Sequence, residues 1–464
     1  MKEKNKKKIS KPLKITLFSL TGIILTFSIV AATLFLSVFF STKSKNKPKQ
    51  VNYSLMETRL IENNSFKKMN NVVYPNGDLM HLIISKDYIN SVNNFSNVIY
   101  QNREDDNKNY SFSPYNLYSN LNILSLATNK QEINNLLDNI LGMDKESRMM
   151  DFLNVFKNDF YSNEYGTNQM YEGFFATNLF NLNNDFLNSL TKNYVEAYQL
   201  NFTNNSDVSK MLKWVDSKID EKDFLTKDDL GDYESAMFYL FSILYFKNKW
   251  MNSFSEKNSR KNSFKISDTK TVETIFMRHQ YFGDYYDYGE YCAFYDYYKN
   301  GMKIKYLVPN NYTKLNIFDL TKGKNIFIDD ENKKYIPIGD LEKLVINLEV
   351  PKFKSNYFID FSNELKSIGL NELFNKESKA FNYVFNDLSE ESSVYLDFVK
   401  QKNLIDFNED GTTIKSVTFS MKAGAAAPIT GDTIDIKLDC PFIYIIYDQN
   451  NIPLYVGNMN DPTL

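Results

Sequence analysis

The sequence predicts an α+β domain in which helices come first and strands later, preceded by one membrane-spanning helix. Residues from about 76 to 230 carry apolar side chains at helical spacing, as at Leu117, Leu121 and Leu124. From Ala236 onward, alternating and continuous apolar runs are typical of strands. This order of elements favours a fold with large, mainly antiparallel sheets.

The N-terminus predicts a membrane anchor. Residues 1–14 contain seven lysines, and residues 15–41 contain no charged side chain. As a helix the uncharged run would span about 40 Å, which exceeds the ~30 Å of bilayer hydrocarbon. Only four lysines follow in residues 43–49, so we expect a cytoplasmic tail and an extracellular domain. The alternative is a secreted protein, with a signal peptide cleaved near Ala31 and Ala32.

The remaining chain divides into a linker and one folded domain. Residues 42–66 are rich in Lys, Asn and Ser and lack apolar periodicity, which predicts a flexible linker. Residues 67–464 form the domain, with a strand near residues 170–176 and a helical pattern over residues 178–200. Strands are predicted over residues 237–246, 302–308, 344–350 and 442–447, and a hairpin turn at Asn300 and Gly301.

Composition and residue chemistry argue against nucleic-acid binding and catalysis. A net charge of −3 and a pI near 5.7 leave no basic surface for nucleic acid. The chain has two histidines, His81 and His279, and neither has a metal-ligand spacing. A Cys292–His279 thiolate pair is conceivable, but a strand cysteine among tyrosines favours a structural role. We therefore expect no enzyme activity, cofactor or metal, and free buried thiols at Cys292 and Cys440.

Several short motifs follow one another in a distinctive order. They are Ser-Phe-Ser-Pro at 111–114, Lys-Trp-Val at 213–215, Phe-Lys-Asn-Lys-Trp at 246–250, Val-Pro-Lys-Phe-Lys at 350–354, Glu-Asp-Gly-Thr at 409–412, Cys-Pro-Phe at 440–442 and Leu-Tyr-Val-Gly at 454–457. Together they resemble the serpin family of serine protease inhibitors, over nearly everything after about residue 70. Abundant Asn, Lys, Tyr, Phe and Ile indicate an AT-rich coding genome, and we expect a bacterial member.

The resemblance implies a serpin-like fold with an exposed reactive loop near the C-terminus and a suicide mechanism. A protease attacks the loop and forms its acyl intermediate, and the cut loop then inserts into the main sheet as a new strand. The hinge that leads this insertion would comprise Glu409, Asp410, Gly411, Thr412 and Ile414.

The hinge departs from the family pattern after Thr412. An Ala-rich run is usual there, whereas this chain has Thr-Ile-Lys-Ser-Val at 413–417. If Thr412 faces the core, then Ile414 and Ser416 follow it inward and Lys415 points to solvent, because side chains alternate along a strand. A site built for alanine would make Ile414 unfavourable by about 1–3 kcal/mol.

The resemblance also implies where the loop is cut and where the sheet opens. Counting the family's usual fourteen residues from Gly411 gives Ala425, followed by Ala426, as the scissile bond. Small side chains there suit elastase-like or subtilisin-like proteases, although a Gly/Ala linker without a bait role is the alternative. The expected sheet-opening residues are Asn116, Ser242 and Gln401, with Lys402 retained beside them and Trp250 at the top of the sheet.

Two functions remain open from the sequence. The leading hypothesis is a monomeric, membrane-anchored, extracellular inhibitor of serine proteases, with cysteine proteases of similar preference as further targets. The alternative is a non-inhibitory serpin fold that serves in binding or surface display. They differ in whether residues 412–421 can become a strand of the sheet.

Overall fold

The computed structural model describes residues 65–76, 81–103, 108–219, 221–310, 316–336, 344–414 and 432–464. The predicted basic tail, membrane helix and nearly all of the linker lie outside these residues, as do Ala425 and Ala426. No helix in the described ranges is long and apolar enough to cross a membrane.

The helices precede most of the strands, as the sequence predicts. The described helices are α1 (Lys86–Asn102), α2 (Pro114–Leu124), α3 (Gln131–Leu141), α4 (Lys145–Asp159), α5 (Asn184–Lys192), α6 (Asn205–Ile219), α7 (Ile317–Thr321) and α8 (Ser362–Leu365). The described strands are β1 (Lys67–Lys68), β2 (Tyr110–Phe112), β3 (Tyr161–Ser162), β4 (Gly166–Thr177), β5 (Val195–Leu200), β6 (Phe238–Lys249), β7 (Arg260–Lys265), β8 (Thr271–Phe282), β9 (Tyr285–Asp287), β10 (Tyr291–Tyr297), β11 (Lys303–Pro309), β12 (Leu344–Pro351), β13 (Phe353–Asp360), β14 (Lys400–Phe407), β15 (Gly411–Ile414), β16 (Asp432–Lys437), β17 (Phe442–Tyr447) and β18 (Pro453–Met459).

Within the described residues these strands form three sheets. The largest runs in the order β1-β5-β4-β6-β15-β14-β13, with β3 paired to β4. A six-stranded sheet runs β2-β18-β17-β11-β10-β9, and a four-stranded sheet runs β16-β12-β8-β7. The pairs β4–β5 and β12–β16 are parallel, and the other described pairs are antiparallel. The predicted α+β class with large, mainly antiparallel sheets is confirmed.

Helix α2 lies in the core between the two larger sheets, where it contacts β6 and β18. The side chain of Ser113 accepts a hydrogen bond from the N–H of Asn116, and Pro114 occupies the first turn, where its missing N–H leaves no intrahelical bond unmade. Leu117 and Leu121 are buried on this helix. Local capping therefore starts α2, and burial on both sides holds it in place.

Of the helical pattern predicted over residues 178–200, only Asn184–Lys192 is a helix, and the prediction is wrong for the residues on either side. Helix α5 ends at Lys192, and Tyr194 has a left-handed φ of 60° that stops the helix. Val195–Leu200 then forms β5, which pairs with β4 and β1. Tertiary pairing in the sheet overrides the local apolar spacing here.

Three other expectations can be compared with the structure. Cys292 and Cys440 are both free and buried, as predicted. The hairpin predicted at Asn300 and Gly301 is β10–β11, with Gly301 at a φ of 86°. Phe66, at the end of the predicted linker, is already buried in the core.

Candidate functional site

The predicted hinge is a strand of the largest sheet. Gly411–Ile414 forms β15, which lies antiparallel between β6 and β14. Thr412 is opposite Asn248 on β6 and opposite Phe407 on β14. β6 and β14 are therefore separated by a full strand at this end of the sheet, where neighbouring strands are usually about 4.8 Å apart.

Gly411 allows the chain to enter between the two strands. A Cβ atom at this position would lie 2.0 Å from the carbonyl oxygen of Asn248 and 3.0 Å from the Cα of Lys249. Both are backbone atoms, which cannot move aside as a flexible side chain can. Only glycine fits this close approach of two backbones.

Thr412 is fully buried beneath an aromatic pair. The hydroxyl of Tyr298 donates a hydrogen bond of 2.8 Å to Oγ1 of Thr412. The ring of Tyr298 stacks on Trp250, with centroids 4.6 Å apart and an angle of 15° between the planes. Thr412 thus faces the core, and Trp250 lies at the end of β6 beside the hinge.

Trp250 also holds the turn that precedes β15. Its Nε1–H donates to the carbonyl of Asn408 at 2.9 Å, and its backbone N–H donates to the carbonyl of Asp410 at 3.1 Å. The N–H of Phe254 donates to the carbonyl of Glu409 at 3.0 Å. The chain immediately after β6 therefore fixes three successive carbonyls of the turn.

The side chain of Glu409 is held by an ion pair. The Nζ of Lys352 lies 2.7 Å from Oε2 of Glu409, and Ser259 donates to Oε1 at 2.9 Å. Burial opposes ionisation of this carboxyl, but the hydrogen bonds from Lys352 and Ser259 outweigh it and lower the pKa of Glu409. Glu409 is therefore an ionised anchor for the hinge at neutral pH.

Beyond Ile414, the described residues place no strand between β6 and β14. Among the described residues, no strand pairing joins β6 directly to β14. A cavity of about 650 Å³ lies between the two strands, and Ser242, Gln401, Asn116 and Leu121 are among its lining residues. We call this opening, bounded by β6, β14 and α2, the slot.

The three predicted sheet-opening residues meet at the slot. The side-chain amide of Asn116 donates to the carbonyl of Ser242 at 3.4 Å. Gln401 accepts from the N–H of Ser113 at 2.6 Å and donates to the carbonyl of Ser113 at 3.0 Å. Asn403 donates to Oε1 of Gln401 at 3.0 Å. Hydrogen bonds to the start of α2 therefore connect β6 and β14. In the part of the chain that the structure describes, the two strands are not paired with each other.

Comparison with known proteins now identifies the family. A family model described as Serpin (serine protease inhibitor) matches residues 90–462. The chain belongs to the serpin family.

Individual relatives agree with this assignment. Serpin B10 of Sorex araneus is 26% identical over 303 residues, which cover 62% of this chain and 72% of that protein. Neuroserpin of Mus musculus is 23% identical over 384 residues, which cover 77% of this chain and 87% of that protein. Both relatives are mammalian, so the expected bacterial source remains a prediction.

Solved structures share the fold. The thermophilic serpin tengpin in its native state has a TM-score of 0.70 at 21% identity, covering 84% of this chain and 97% of that one. Serpin48 of the insect Tenebrio molitor has a TM-score of 0.68 at 19% identity, covering 82% of this chain and 100% of that one.

Both ends of the predicted reactive loop of this serpin are held in sheets. Upstream, β15 ends at Ile414 in the largest sheet. Downstream, Asp432–Lys437 forms β16, which pairs with β12 at the edge of the four-stranded sheet. The expected scissile bond lies between these two anchors, outside the described residues.

Sequence reasoning missed one buried carboxyl group at the slot. Glu172 on β4 lies directly opposite Ser242, whose hydroxyl donates to Oε1 at 2.6 Å. Oε2 has no hydrogen-bond partner within the described part of the chain, and burial raises the pKa of Glu172 well above its usual value. A single acidic residue inside the apolar run of residues 170–176 was the available signal.

Lys352 and Tyr298 were also missed as hinge contacts. Lys352 was noted only as part of a motif, and its partner Glu409 is 57 residues further along the chain. Tyr298 lies in the tyrosine-rich stretch around Cys292, and nothing in the local sequence pairs it with Thr412. The retained Lys402 lies 3.4 Å from Oδ2 of Asp229.

Replacing Gly411 by alanine should expel the hinge from the sheet. The added Cβ collides with the backbone of Asn248, so β15 cannot remain between β6 and β14. We expect the amides of residues 411–414 to lose protection from hydrogen exchange in Gly411→Ala. Thr413→Ala is the matched control, because that position already carries a Cβ. Unchanged protection in Gly411→Ala would show that the hinge does not depend on this close approach.

Glu172 should make stability fall as pH rises. A raised folded pKa means that the folded protein keeps a proton the unfolded chain releases above its usual pKa of 4.5. The contribution of Glu172 to the free energy of unfolding is therefore most favourable below pH 4.5. This contribution is lost as the pH rises from there through the folded pKa. Glu172→Gln should remove this loss, raising the unfolding temperature relative to wild type at pH 8 but not at pH 4. Glu132→Gln, on an exposed position of α3, is the control; equal pH profiles for wild type and Glu172→Gln would contradict the assignment.

Proposed function

We propose that this serpin inhibits serine proteases as a suicide substrate. A protease would cut between Ala425 and Ala426, and the released upstream segment would continue β15 down the slot before the acyl intermediate is hydrolysed. The observation that carries this proposal is β15 itself, since a strand already begun between β6 and β14 needs only to be extended.

The register of β15 supports extension into the sheet-opening residues. Thr412 is opposite Asn248 and Phe407. Six residues further on, the same register brings Thr418 opposite Ser242 on β6 and Gln401 on β14. The hydroxyl of Thr418 would thus join the polar groups that line the slot.

The alternation of side chains also favours insertion. Thr412 faces Tyr298 in the core, so Ser416 and Thr418 would face the core as well, and Lys415 and Val417 would face outward. No charged side chain would be buried in this stretch. The atypical hinge is therefore compatible with a strand.

Insertion would release free energy that the open sheet retains. An open sheet edge carries unpaired N–H and C=O groups, and extending β15 would pair them on both β6 and β14. The uncut protein would then be kept in its present form by a barrier and not by a thermodynamic minimum.

The target class follows from the expected scissile bond. Alanines on both sides favour proteases with shallow pockets, either elastase-like or subtilisin-like, with cysteine proteases of similar preference as further candidates. The uncharged run at residues 15–41 supports anchorage in a membrane through one N-terminal helix, and the seven lysines before it against four after it support a domain outside the cell, which we take to be monomeric.

A trapped protease should be visible on a denaturing gel. The full-length chain in detergent, mixed with an elastase-like or a subtilisin-like protease, should give a band at the summed mass that survives denaturant. Thr418→Arg should abolish this band because its side chain would enter the core. Val417→Arg, one residue earlier and outward-facing, should retain it.

Cleavage of the loop without a trapped protease would contradict the proposal. If the loop is cut near Ala425 by a panel of serine and cysteine proteases without any stable complex, the inhibitor proposal fails. A non-inhibitory fold kept for binding or display is then the better account.

A further inference from the structure

Helix α6 covers the slot on the face of the sheet opposite α2. Its Trp214 packs on β4 so closely that a Cβ at Gly173 would lie 2.5 Å from Cη2 of the indole. One residue further on, Val215 lines the slot, as does Ile219 one turn later. A strand inserted along the slot must therefore displace side chains of α6.

The buried carboxylate of Glu196 on β5 accepts hydrogen bonds from two side chains of α6. Nε1–H of Trp214 donates to Oε2 of Glu196 at 2.8 Å, and Nζ of Lys218 donates to Oε1 at 2.8 Å. The hydroxyls of Tyr198 and Tyr74 also donate to Glu196, at 2.6 and 2.9 Å. Two of the four donors are on α6, spaced one helical turn apart.

The charge on Glu196 makes this attachment strong. Burial by itself would favour the neutral acid, but Lys218, Lys68 and the hydrogen bonds outweigh burial and lower the pKa of Glu196 to about 2. Glu196 and Lys218 each have only 5% of their side chains exposed. Hydrogen bonds to a buried ionised group are stronger than neutral ones, and separating this pair leaves an uncompensated charge.

We propose that Glu196 is a positioning residue that holds α6 over the slot and thereby sets the rate of loop insertion. Trp214 and Lys218 attach the helix to β5, while Val215 and Ile219 of the same helix obstruct the slot. The helix must loosen from Glu196 before the strand can pass. This inference rests on the proposed inhibitory function and names the group that controls its rate.

The test compares two donors on α6 with one donor on β5. Trp214→Phe keeps a ring against Gly173 but removes the N–H donor, and Lys218→Gln removes the charge. Tyr198→Phe removes a bond to the same carboxylate without changing α6. Each full-length variant is mixed with excess elastase-like protease, and insertion is followed by the rate at which the denaturant-stable complex forms, together with the number of inhibitor molecules consumed per protease trapped.

Both α6 variants should insert about tenfold faster than wild type, as expected when a hydrogen bond to a charged group is lost before the barrier. They should also consume fewer inhibitor molecules per trapped protease. Tyr198→Phe should insert at the wild-type rate. Equal acceleration by all three variants would indicate general destabilisation and overturn the inference, as would unchanged rates in both α6 variants.

Failure of the proposed function looks different. If the cut wild-type loop never inserts, there is no rate to compare, and the inhibitory function fails together with this inference. If wild type inserts and the α6 variants match it, only the role of Glu196 is wrong.

Discussion

The arrangement of the largest sheet depends on β15, which lies between β6 and β14 and keeps these two strands apart. Because Gly411–Ile414 lies between them, the two strands cannot pair with each other at this end, and the slot continues below. The contacts described around the hinge hold β15 in this position. Gly411 permits the close backbone approach, Trp250 fixes the turn, and the Lys352–Glu409 pair anchors its side chain.

Two buried glutamates on neighbouring strands show how environment decides the charge of a carboxyl. Glu172 on β4 has Ser242 as its partner, and burial raises its pKa well above the usual value, which favours the neutral acid. Glu196 on β5 meets Lys218 and three neutral donors, and it stays ionised. The neutral group lies in the network beside the slot, and the ionised one fastens the helix above it. Both groups therefore lie close to the part of the sheet that the proposed insertion would open.

The sequence predicts strands well where burial is continuous, as at residues 442–447, which match β17. It fails at β5, where pairing with β4 and β1 outweighs the local apolar spacing. The family resemblance singled out residues 409–414 and the trio of Asn116, Ser242 and Gln401, whose roles in loop insertion remain predictions. It could not supply Tyr298, Lys352 or the ties between Glu196 and α6, because those contacts join residues far apart in the chain and depend on three-dimensional packing.

The most direct test of the account is thermal unfolding of the full-length protein before and after its loop is cut near Ala425. If the slot accepts the freed segment as a strand, the cut protein should unfold at least about 10 °C above the intact one, since added strand pairing increases stability by several kcal/mol. Equal unfolding temperatures would contradict the claim that the open sheet retains free energy for insertion.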